Sequence, residues 1–201
     1  LLDEDGVSAS REAFGAALAT GENQLALRSG SVYRPVLGSG ARAPVPGGSW
    51  DSTRAVLITG GLGWLGRITA RHLVETHGVR QLVLMGRGAP GPDAERVIAD
   101  LRDLGARVRT VACDAADREA LAGALERLDR SGVRIGGVVH AAGFLEGGLL
   151  TDLTADDLER SLRPKADVAL HLHELTAGWD LSAFVVYSSV ASTLNSAGQG
   201  A

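Results

Sequence analysis

The sequence has few aromatic residues, one cysteine and no long apolar run, and each shortage narrows what the protein can be. Aromatic residues make up 4% of the 201 residues, so a core must be built mainly from Ala, Val and Leu. A single cysteine, Cys113, excludes an internal disulfide and makes a reducing compartment the default. No apolar segment approaches the ~20 residues of a membrane span, and no signal peptide opens the chain. We therefore expect a cytoplasmic protein without membrane contact.

The charge of the chain is also modest, with a formal net value of -4. Its Lys and Arg residues are scattered rather than grouped in a stripe, which argues against nucleic acid as a partner. The chain begins with Leu1 rather than Met, and we therefore expect a piece of a longer protein.

Two segments with different patterns follow each other along the chain. In residues 1–38, a short helix is predicted over Ser10–Leu18, with its first residue as a possible N-cap. Two strand-like runs around Ser29 and Gly30 then predict a hairpin. This segment is too small to bury a core of its own. Residues 39–52 are rich in Gly, Pro and Ser and are predicted to be a linker.

From Arg54 onward, short apolar runs alternate with helical segments. The runs include AVLIT, QLVLMG and AFVVY, whose continuous apolar character is typical of strands buried on both faces. Five such strands alternating with helices predict an α/β fold, a Rossmann-type parallel sheet with helices on both faces. Pro164 marks an interruption in the helical stretch before the last strand.

A glycine-rich loop, TGGLGWLG, lies between the first of these strands and the first helix. It matches G-x-G-x-x-G, in which glycines permit a tight turn and a close approach to a pyrophosphate, while the helix start supplies amide donors. A structural turn without a ligand is the alternative. The residues predicted to bind a dinucleotide here are Gly60, Gly61, Leu62, Gly63, Leu65 and Gly66.

The ends of the later strands supply the other cofactor candidates. A site for NAD usually has an Asp or Glu about 20 residues after the loop, but here the second strand ends in Arg87. We therefore predict NADPH, with Arg87 on its extra phosphate; a solvated surface Arg is the alternative. Asp114 is placed to contact the adenine. The remaining predicted contacts are Ala115, Ala141, Ala142, Gly143 and Ser188.

Four motifs together resemble the ketoreductase domain of a modular polyketide synthase, a relative of the short-chain dehydrogenases/reductases. They are TGGLGWLG, VVHAAG, RPKADVALHLHEL and VVYSSVAS followed by GQG. The resemblance covers essentially the whole chain. It implies that residues 1–38 are the C-terminal part of a structural subdomain. Residues 53–201 are then an NADPH-binding catalytic subdomain, truncated before its C-terminal part.

The resemblance also implies an activity and partners. The family uses NADPH to reduce the β-keto group of an acyl-carrier-protein-bound thioester to a β-hydroxyl. The acyl carrier protein, the other synthase domains and a β-ketoacyl thioester are thus the implied partners. Of its catalytic Ser, Tyr, Lys and Asn, two match Ser189 and Lys165. The Tyr would directly follow Ala201 and the Asn four residues later, so we expect the chain alone to have little or no reductase activity.

Ser189 and Lys165 suit ketone reduction chemically. Hydride delivery builds negative charge on the ketone oxygen, which must be hydrogen-bonded and then protonated. A serine can donate one hydrogen bond, and an ammonium lowers the pKa of a phenol from about 10 toward neutrality. Without the family context, Ser189 would be a turn serine and Lys165 a solvated helix residue.

Several positions depart from the family pattern. The segment Leu145-Glu146-Gly147 lacks the final Asp of one stereochemical type, and Leu194 replaces the Trp of the other type. Ser192 and Asn195 stand where glycines are usual. The missing stereochemical markers keep open a reduction-incompetent scaffold or epimerase. A non-catalytic NADP-binding domain, which would share the glycine loop, is a further alternative.

Three histidines are candidate metal ligands. His171 and His173 lie on different sides of a predicted helix, which argues against a shared metal. His140 ends a buried strand, and we predict that it is a hydrogen-bonded structural residue.

Overall fold

Two compact units make up the chain, Leu1–Pro46 and Gly47–Ala201. The computed structural model describes residues 2–36, 38, 50–143 and 151–192. Most of the predicted linker lies outside these residues, so the linker and the domain boundaries stay predictions. None of the helices within the described residues is long and apolar enough to cross a membrane.

The first unit is a three-stranded sheet with two short helices. Its elements are β1 (Leu2–Glu4), α1 (Ser8–Glu12), α2 (Phe14–Ala19), β2 (Leu25–Arg28) and β3 (Ser31–Tyr33). Strand β2 pairs parallel with β1 and antiparallel with β3. The turn before β3 has positive φ at Ser29 (50°) and Gly30 (81°), which suits a two-residue hairpin loop. The predicted hairpin is confirmed.

The helix predicted over Ser10–Leu18 is wrong in its start and its continuity. Helix α1 has Val7 as its N-cap, and α2 begins separately at Phe14. Ser10 is not a cap, because it is buried and its Oγ accepts a hydrogen bond from the Gly30 amide at 3.1 Å. A contact with the hairpin turn therefore outweighs the local capping preference of serine.

The second unit is built on a five-stranded parallel sheet. Its strands are β4 (Ala55–Thr59), β5 (Gln81–Gly86), β6 (Arg107–Ala112), β7 (Ile135–His140) and β8 (Ala183–Val186). Their spatial order is β6-β5-β4-β7-β8, and all neighbours pair in parallel. Strand β4, the first of these strands in the sequence, lies in the middle of the sheet, and the strand order reverses beside it, as in a Rossmann-type sheet. The predicted fold class is confirmed.

Helices on both faces of the sheet bury two apolar layers. They are α3 (Trp64–His77), α4 (Pro92–Asp103), α5 (Arg118–Arg130), α6 (Ala155–Leu162) and α7 (Val168–Thr176). Val56 and Ile58 of β4 pack with α3 and α4, whereas Ala55 and Leu57 pack with α5 and α7. Because every residue of β4 is buried, its sequence is a continuous apolar run rather than an alternating one.

A π-helical turn, Arg163–Asp167, joins α6 to α7. The interruption predicted at Pro164 is this wider turn. Proline has no amide hydrogen and its ring collides with the carbonyl four residues earlier, so an α-helix cannot pass through it unchanged. A π-helical turn accommodates the proline by widening the helix locally. The turn carries Lys165 at its centre.

Candidate dinucleotide and active site

The carboxyl ends of the parallel strands bring most of the predicted site residues to one edge of the sheet. Gly60 follows β4, Arg87 follows β5, and Asp114 lies two residues after β6. Ala141 follows β7, and Ser188 lies two residues after β8. Ligands of such sheets bind at this edge, next to the point where the strand order reverses.

The glycine loop is held against the sheet by its own backbone. The Gly61 amide donates to the carbonyl of Met85 in β5 at 3.1 Å, and the Gly63 amide donates to the Gly60 carbonyl at 2.9 Å. Gly60 has a φ of +68°, which residues with a side chain rarely adopt. The loop is therefore a tight turn that ends at Gly63, the N-cap of α3.

Methyl groups would not fit at three glycines of this loop. A Cβ at Gly60 would lie 2.7 Å from the Ala142 Cα, and one at Gly61 would lie 2.7 Å from the Ile58 carbonyl oxygen. A Cβ at Gly66 would lie 2.3 Å from the Gly60 carbonyl oxygen. The loop, the start of α3 and the end of β7 are therefore packed main chain against main chain. The loop and the first turn of α3 together form a backbone cradle at the sheet edge, an arrangement that suits a pyrophosphate.

The start of α3 offers amide donors to that cradle. No side chain caps the helix at Gly63, and the Arg67 amide donates to the Gly63 carbonyl at 3.0 Å. The amides between these residues and the positive end of the helix dipole suit a phosphate group. Leu62 packs over the end of β5, and its Cδ1 would lie 3.1 Å from a methyl group on Gly86. Leu65 lies in the first turn of α3.

Arg87 is exposed directly after β5, on the same edge as the glycine loop. Within the described part of the chain, no carboxylate pairs with its guanidinium. Strand β5 also ends without an acidic residue that would bond a ribose hydroxyl. The local charge at this strand end is positive, which suits a phosphate.

Asp114 lies in a turn between β6 and α5. Its carboxylate accepts a hydrogen bond from the Ala116 amide at 3.1 Å, and its carbonyl accepts one from the Asp117 amide at 3.1 Å. Ala115 is buried beside it, with its carbonyl oxygen 3.4 Å from Nδ1 of His171. The turn therefore fixes the backbone of Asp114 and leaves its side chain exposed at the sheet edge.

His140 joins three elements at the centre of this edge. Its side chain is buried, with Nδ1 2.7 Å from the Thr59 Oγ1 and Nε2 3.0 Å from the Lys165 carbonyl oxygen. Its own carbonyl accepts from the Tyr187 amide at 3.0 Å. Burial lowers the pKa of His140 below 6.5, and the hydrogen bond to Lys165 opposes that shift. The prediction of a hydrogen-bonded structural histidine is confirmed.

Lys165 is partly buried beside the end of β7. Its Nζ donates a hydrogen bond to the Oγ of Ser161, a buried serine one turn earlier, at 2.8 Å. A methyl group on Gly143 would lie 3.6 Å from the Lys165 Cγ. The aliphatic stem of Lys165 therefore lies against the same strand end that the glycine loop contacts through Gly60 and Ala142.

Ser188 and Ser189 are exposed after β8. The Oγ of Ser189 accepts a hydrogen bond from the Ala191 amide at 3.1 Å, at the start of a short 3₁₀ helix, Val190–Ser192. The preceding Tyr187 places its hydroxyl 2.9 Å from the Thr69 Oγ1 on α3. The two predicted catalytic residues thus lie on separate elements, one on the π-helical turn and one after β8.

The sequence matches a family model described as "KR domain" over residues 55–201. It is also 47% identical over 205 residues to the spectinabilin polyketide synthase system protein NorA' of Streptomyces orinoci. That alignment covers 100% of this chain and 6% of the synthase protein. The chain belongs to the ketoreductase domains of polyketide synthases.

Other relatives agree with this ketoreductase assignment. Erythronolide synthase EryA2 of Saccharopolyspora erythraea is 51% identical over 151 residues, covering 75% of this chain and 4% of EryA2. A solved structure of A-type ketoreductases from a modular polyketide synthase matches with a TM-score of 0.83 and 42% identity. That match covers 99% of this chain and 43% of the solved chain. The ketoreductase chain therefore spans a small part of its curated relatives and less than half of that solved structure.

Ketoreductase domains are NAD(P)-dependent reductases with a Rossmann-type fold, and the backbone cradle at Gly60, Gly61 and Gly66 fits a dinucleotide. Among the described residues, no group of three or more His, Cys, Asp or Glu side chains could hold a metal ion. The stereochemical markers at Leu145-Glu146-Gly147 and Leu194, like Asn195, lie outside the described residues.

Sequence reasoning missed two features of the ketoreductase site. Lys165 is the only lysine in the sequence, and all other long basic side chains are arginines. A simple residue count would have singled it out, because an ammonium and a guanidinium are not interchangeable. The links of His140 to Thr59 and Lys165 had no sequence signal, because they join residues 81 and 25 positions apart.

Proposed function

We propose that the intact domain containing this chain uses NADPH to reduce the β-keto group of an acyl-carrier-protein-bound polyketide intermediate to a β-hydroxyl. Family membership supports reduction of a ketone. NADPH and the carrier-bound thioester are our own more specific assignments. In the same proposal, residues 1–38 are the end of a structural subdomain and residues 53–201 are part of the catalytic subdomain.

The cofactor assignment rests on charge and on close packing at the sheet edge. The backbone cradle of the glycine loop and the first amides of α3 would hold the pyrophosphate. Arg87 would bind the 2′-phosphate that distinguishes NADPH from NADH, because no described carboxylate neutralises it. Asp114 and Ala115 would flank the adenine, and Ala141, Ala142, Gly143 and Ser188 would lie along the rest of the cofactor. When bound, the cofactor supplies the hydride.

Two side chains of this chain would act on the ketone. Ser189 would donate a hydrogen bond to the ketone oxygen, where negative charge develops. The Lys165 ammonium would lower the pKa of the acid that protonates that oxygen. In the family pattern this acid is a tyrosine at the position directly after Ala201.

The placement of Lys165 is the observation that carries this proposal. Gly60 of the glycine loop packs against Ala142 in the segment after β7, and a methyl group on Gly143 in the same segment would lie 3.6 Å from the Lys165 Cγ. A cofactor in the cradle would thus lie on the strand end that holds the only ammonium side chain of the sequence. A domain that only bound a dinucleotide would gain nothing from a lysine rather than an arginine at that position.

Turnover of a simple β-ketoacyl thioester by the intact domain tests the proposal, with NADPH consumption followed by absorbance. Lys165→Arg keeps the charge but changes its shape, and we expect kcat to fall by about 10² or more because proton transfer is impaired. Ser189→Ala should lower kcat by about 10²–10³, the usual effect of losing one donor to a developing oxyanion. Ser131→Ala, at the end of α5, is the matched control.

The parent domain gives the decisive result. If it binds NADPH but does not reduce the thioester, the reductase proposal fails and a non-catalytic NADP-binding domain takes its place. Full activity in Lys165→Arg would show that any cation suffices at this position and would overturn the argument from a lysine rather than an arginine.

A further inference from the structure

His140 is a buried side chain with hydrogen bonds to two parts of the site, and the proposed mechanism does not use it. We infer that His140 is a positioning residue that holds Lys165 in its working orientation by hydrogen-bonding the Lys165 main-chain carbonyl. This inference rests on the proposed reductase function for its catalytic consequence. The hydrogen bonds that carry it are independent of that function.

The carbonyl of Lys165 determines which ring nitrogen of His140 carries the proton. A carbonyl oxygen only accepts hydrogen bonds, so Nε2, 3.0 Å from it, must be the donor. In a neutral ring, Nδ1 is then an acceptor, and the Thr59 hydroxyl 2.7 Å away donates to it. Both ring nitrogens are satisfied in this arrangement. The low pKa caused by burial keeps the ring in this neutral form.

Lys165 needs an external support because of the helix that carries it. It lies in the π-helical turn Arg163–Asp167, where the regular amide-to-carbonyl pattern of an α-helix is interrupted. Within the turn, the Val168 amide is shared between the carbonyls of Arg163 and Lys165, and the His140 ring supplies a second donor to the Lys165 carbonyl. The His140 ring, fixed in the sheet, binds this turn at the residue whose side chain carries the ammonium. Loss of that bond would let the turn relax and Lys165 move relative to Gly143.

The same histidine also guides the strand that leads to Ser189. Its main-chain carbonyl accepts from the Tyr187 amide, two residues before Ser189. Through its side chain it contacts Thr59, the residue before the glycine loop. His140 thus forms hydrogen bonds with the strand before the glycine loop, with the turn that carries Lys165 and with the strand that leads to Ser189.

Two amide substitutions separate the two hydrogen bonds of the ring. In His140→Gln, the amide nitrogen reaches the position of Nε2 and can still donate to the Lys165 carbonyl. In His140→Asn, the shorter side chain reaches only the position of Nδ1, so it can accept from Thr59 but cannot bond Lys165. We expect His140→Asn to lower kcat by about 10²-fold, the typical effect of misplacing a catalytic group by about 1 Å. His140→Gln should recover most of that loss.

The pH profile of the intact domain distinguishes positioning from loss of stability. If Lys165 moves away from the acid, the pKa of that acid rises toward its ordinary value, and the alkaline limb of the kcat profile shifts to higher pH. We expect this shift in His140→Asn and not in His140→Gln. Ile98→Val, on the buried face of α4, is the control for a general loss of stability. It should leave the alkaline limb in place.

The single lysine permits a test on the 201-residue chain that does not depend on turnover. Labelling with ¹³C,¹⁵N-lysine gives one side-chain signal, and its pH titration reports the surroundings of the Lys165 ammonium. We expect His140→Asn to shift this titration, whereas His140→Gln and Ile98→Val should match the parent. In the parent, ¹⁵N-histidine spectra should show His140 protonated at Nε2.

Each outcome supports or overturns the inference. A parent ring protonated at Nδ1 overturns it even if His140→Asn fails to fold, because Nε2 could then not donate to Lys165. Equal lysine titrations in His140→Asn and His140→Gln also overturn it. An inactive parent domain with the expected lysine titrations would remove the proposed function while leaving the positioning of Lys165 intact.

Discussion

Replacing Gly66 by alanine tests whether close packing of main chain against main chain shapes the dinucleotide site. Gly66 lies in the first turn of α3, and in an ordinary helix an alanine would add about 0.5–1 kcal/mol of stability. Here the new Cβ would lie 2.3 Å from the Gly60 carbonyl oxygen and 2.6 Å from the Gly61 Cα. Both are backbone atoms, so the loop and the helix must separate by about 1 Å to reach normal contact distances.

In Gly66→Ala, the strain should cost more free energy than the higher helix propensity of alanine contributes. Overpacking of this kind costs about 1–3 kcal/mol, so we expect the free energy of unfolding to fall by about 1–2 kcal/mol. The separation also moves the amides at the start of α3 relative to the glycine loop. Losing one hydrogen bond to a charged phosphate costs about 1.5–3 kcal/mol. The Kd for NADPH should then rise by about tenfold to a hundredfold.

Urea unfolding and calorimetric titration with NADPH measure both effects. Gly123→Ala is the matched control, because this glycine is also helical and its added Cβ would meet only the flexible Arg127 guanidinium at 3.3 Å. We expect Gly123→Ala to be at least as stable as the parent and to bind NADPH with the same Kd. If Gly66→Ala behaves like Gly123→Ala in both measurements, the argument from main-chain packing is refuted.

Two further predictions concern charge. Arg87→Ala should weaken NADPH binding by about tenfold to a hundredfold, through loss of a charged hydrogen bond of about 1.5–3 kcal/mol. It should leave NADH binding unchanged, with Arg107→Ala at the opposite end of the strands as the control; equal losses for both dinucleotides would contradict the assignment. The pKa of His140 lies below 6.5 in the folded chain, so the unfolded chain takes up the proton first as the pH falls. The free energy of unfolding should therefore decrease as the pH is lowered through 6.5, and His140→Gln should show a smaller decrease in urea titrations across that window.

The fold of the second unit could be predicted because its signals are local. AVLIT and QLVLMG are almost entirely apolar because β4 and β5 are buried on both faces of the parallel sheet. Burial on both faces is wrong for AFVVY, because β8 is the edge strand and its residues from Phe184 onward are exposed. The glycine loop was predictable for a similar reason, since its turn and its close contacts require glycine at fixed positions. The carboxyl-edge location of the site then followed from strand direction alone.

Other features depend on contacts between distant residues and had no local signal. Ser10 resembles a helix cap, but its hydroxyl binds the amide of Gly30, which lies 20 positions away. Pro164 predicts an interruption, but the sequence does not indicate that a π-helical turn forms there. The carbonyl of Lys165 is used by His140 because two elements meet in space. The local structural preferences of single residues do not predict such contacts between distant parts of the chain.

The π-helical turn affects the direction in which the helix residues on either side of it face. Each residue of an α-helix advances the chain by about 100°, and the wider i→i+5 turn takes up an extra residue without rotating the helix after it by that angle. Helix α7 must point Val168 and Leu172 into the core, while α6 starts at a fixed cap, Thr154. Deleting one residue within the turn would leave the charge pattern and the glycine loop intact. It would nevertheless remove the widening beside Pro164 and shift Lys165 relative to Gly143, so the length of this segment matters as much as its composition.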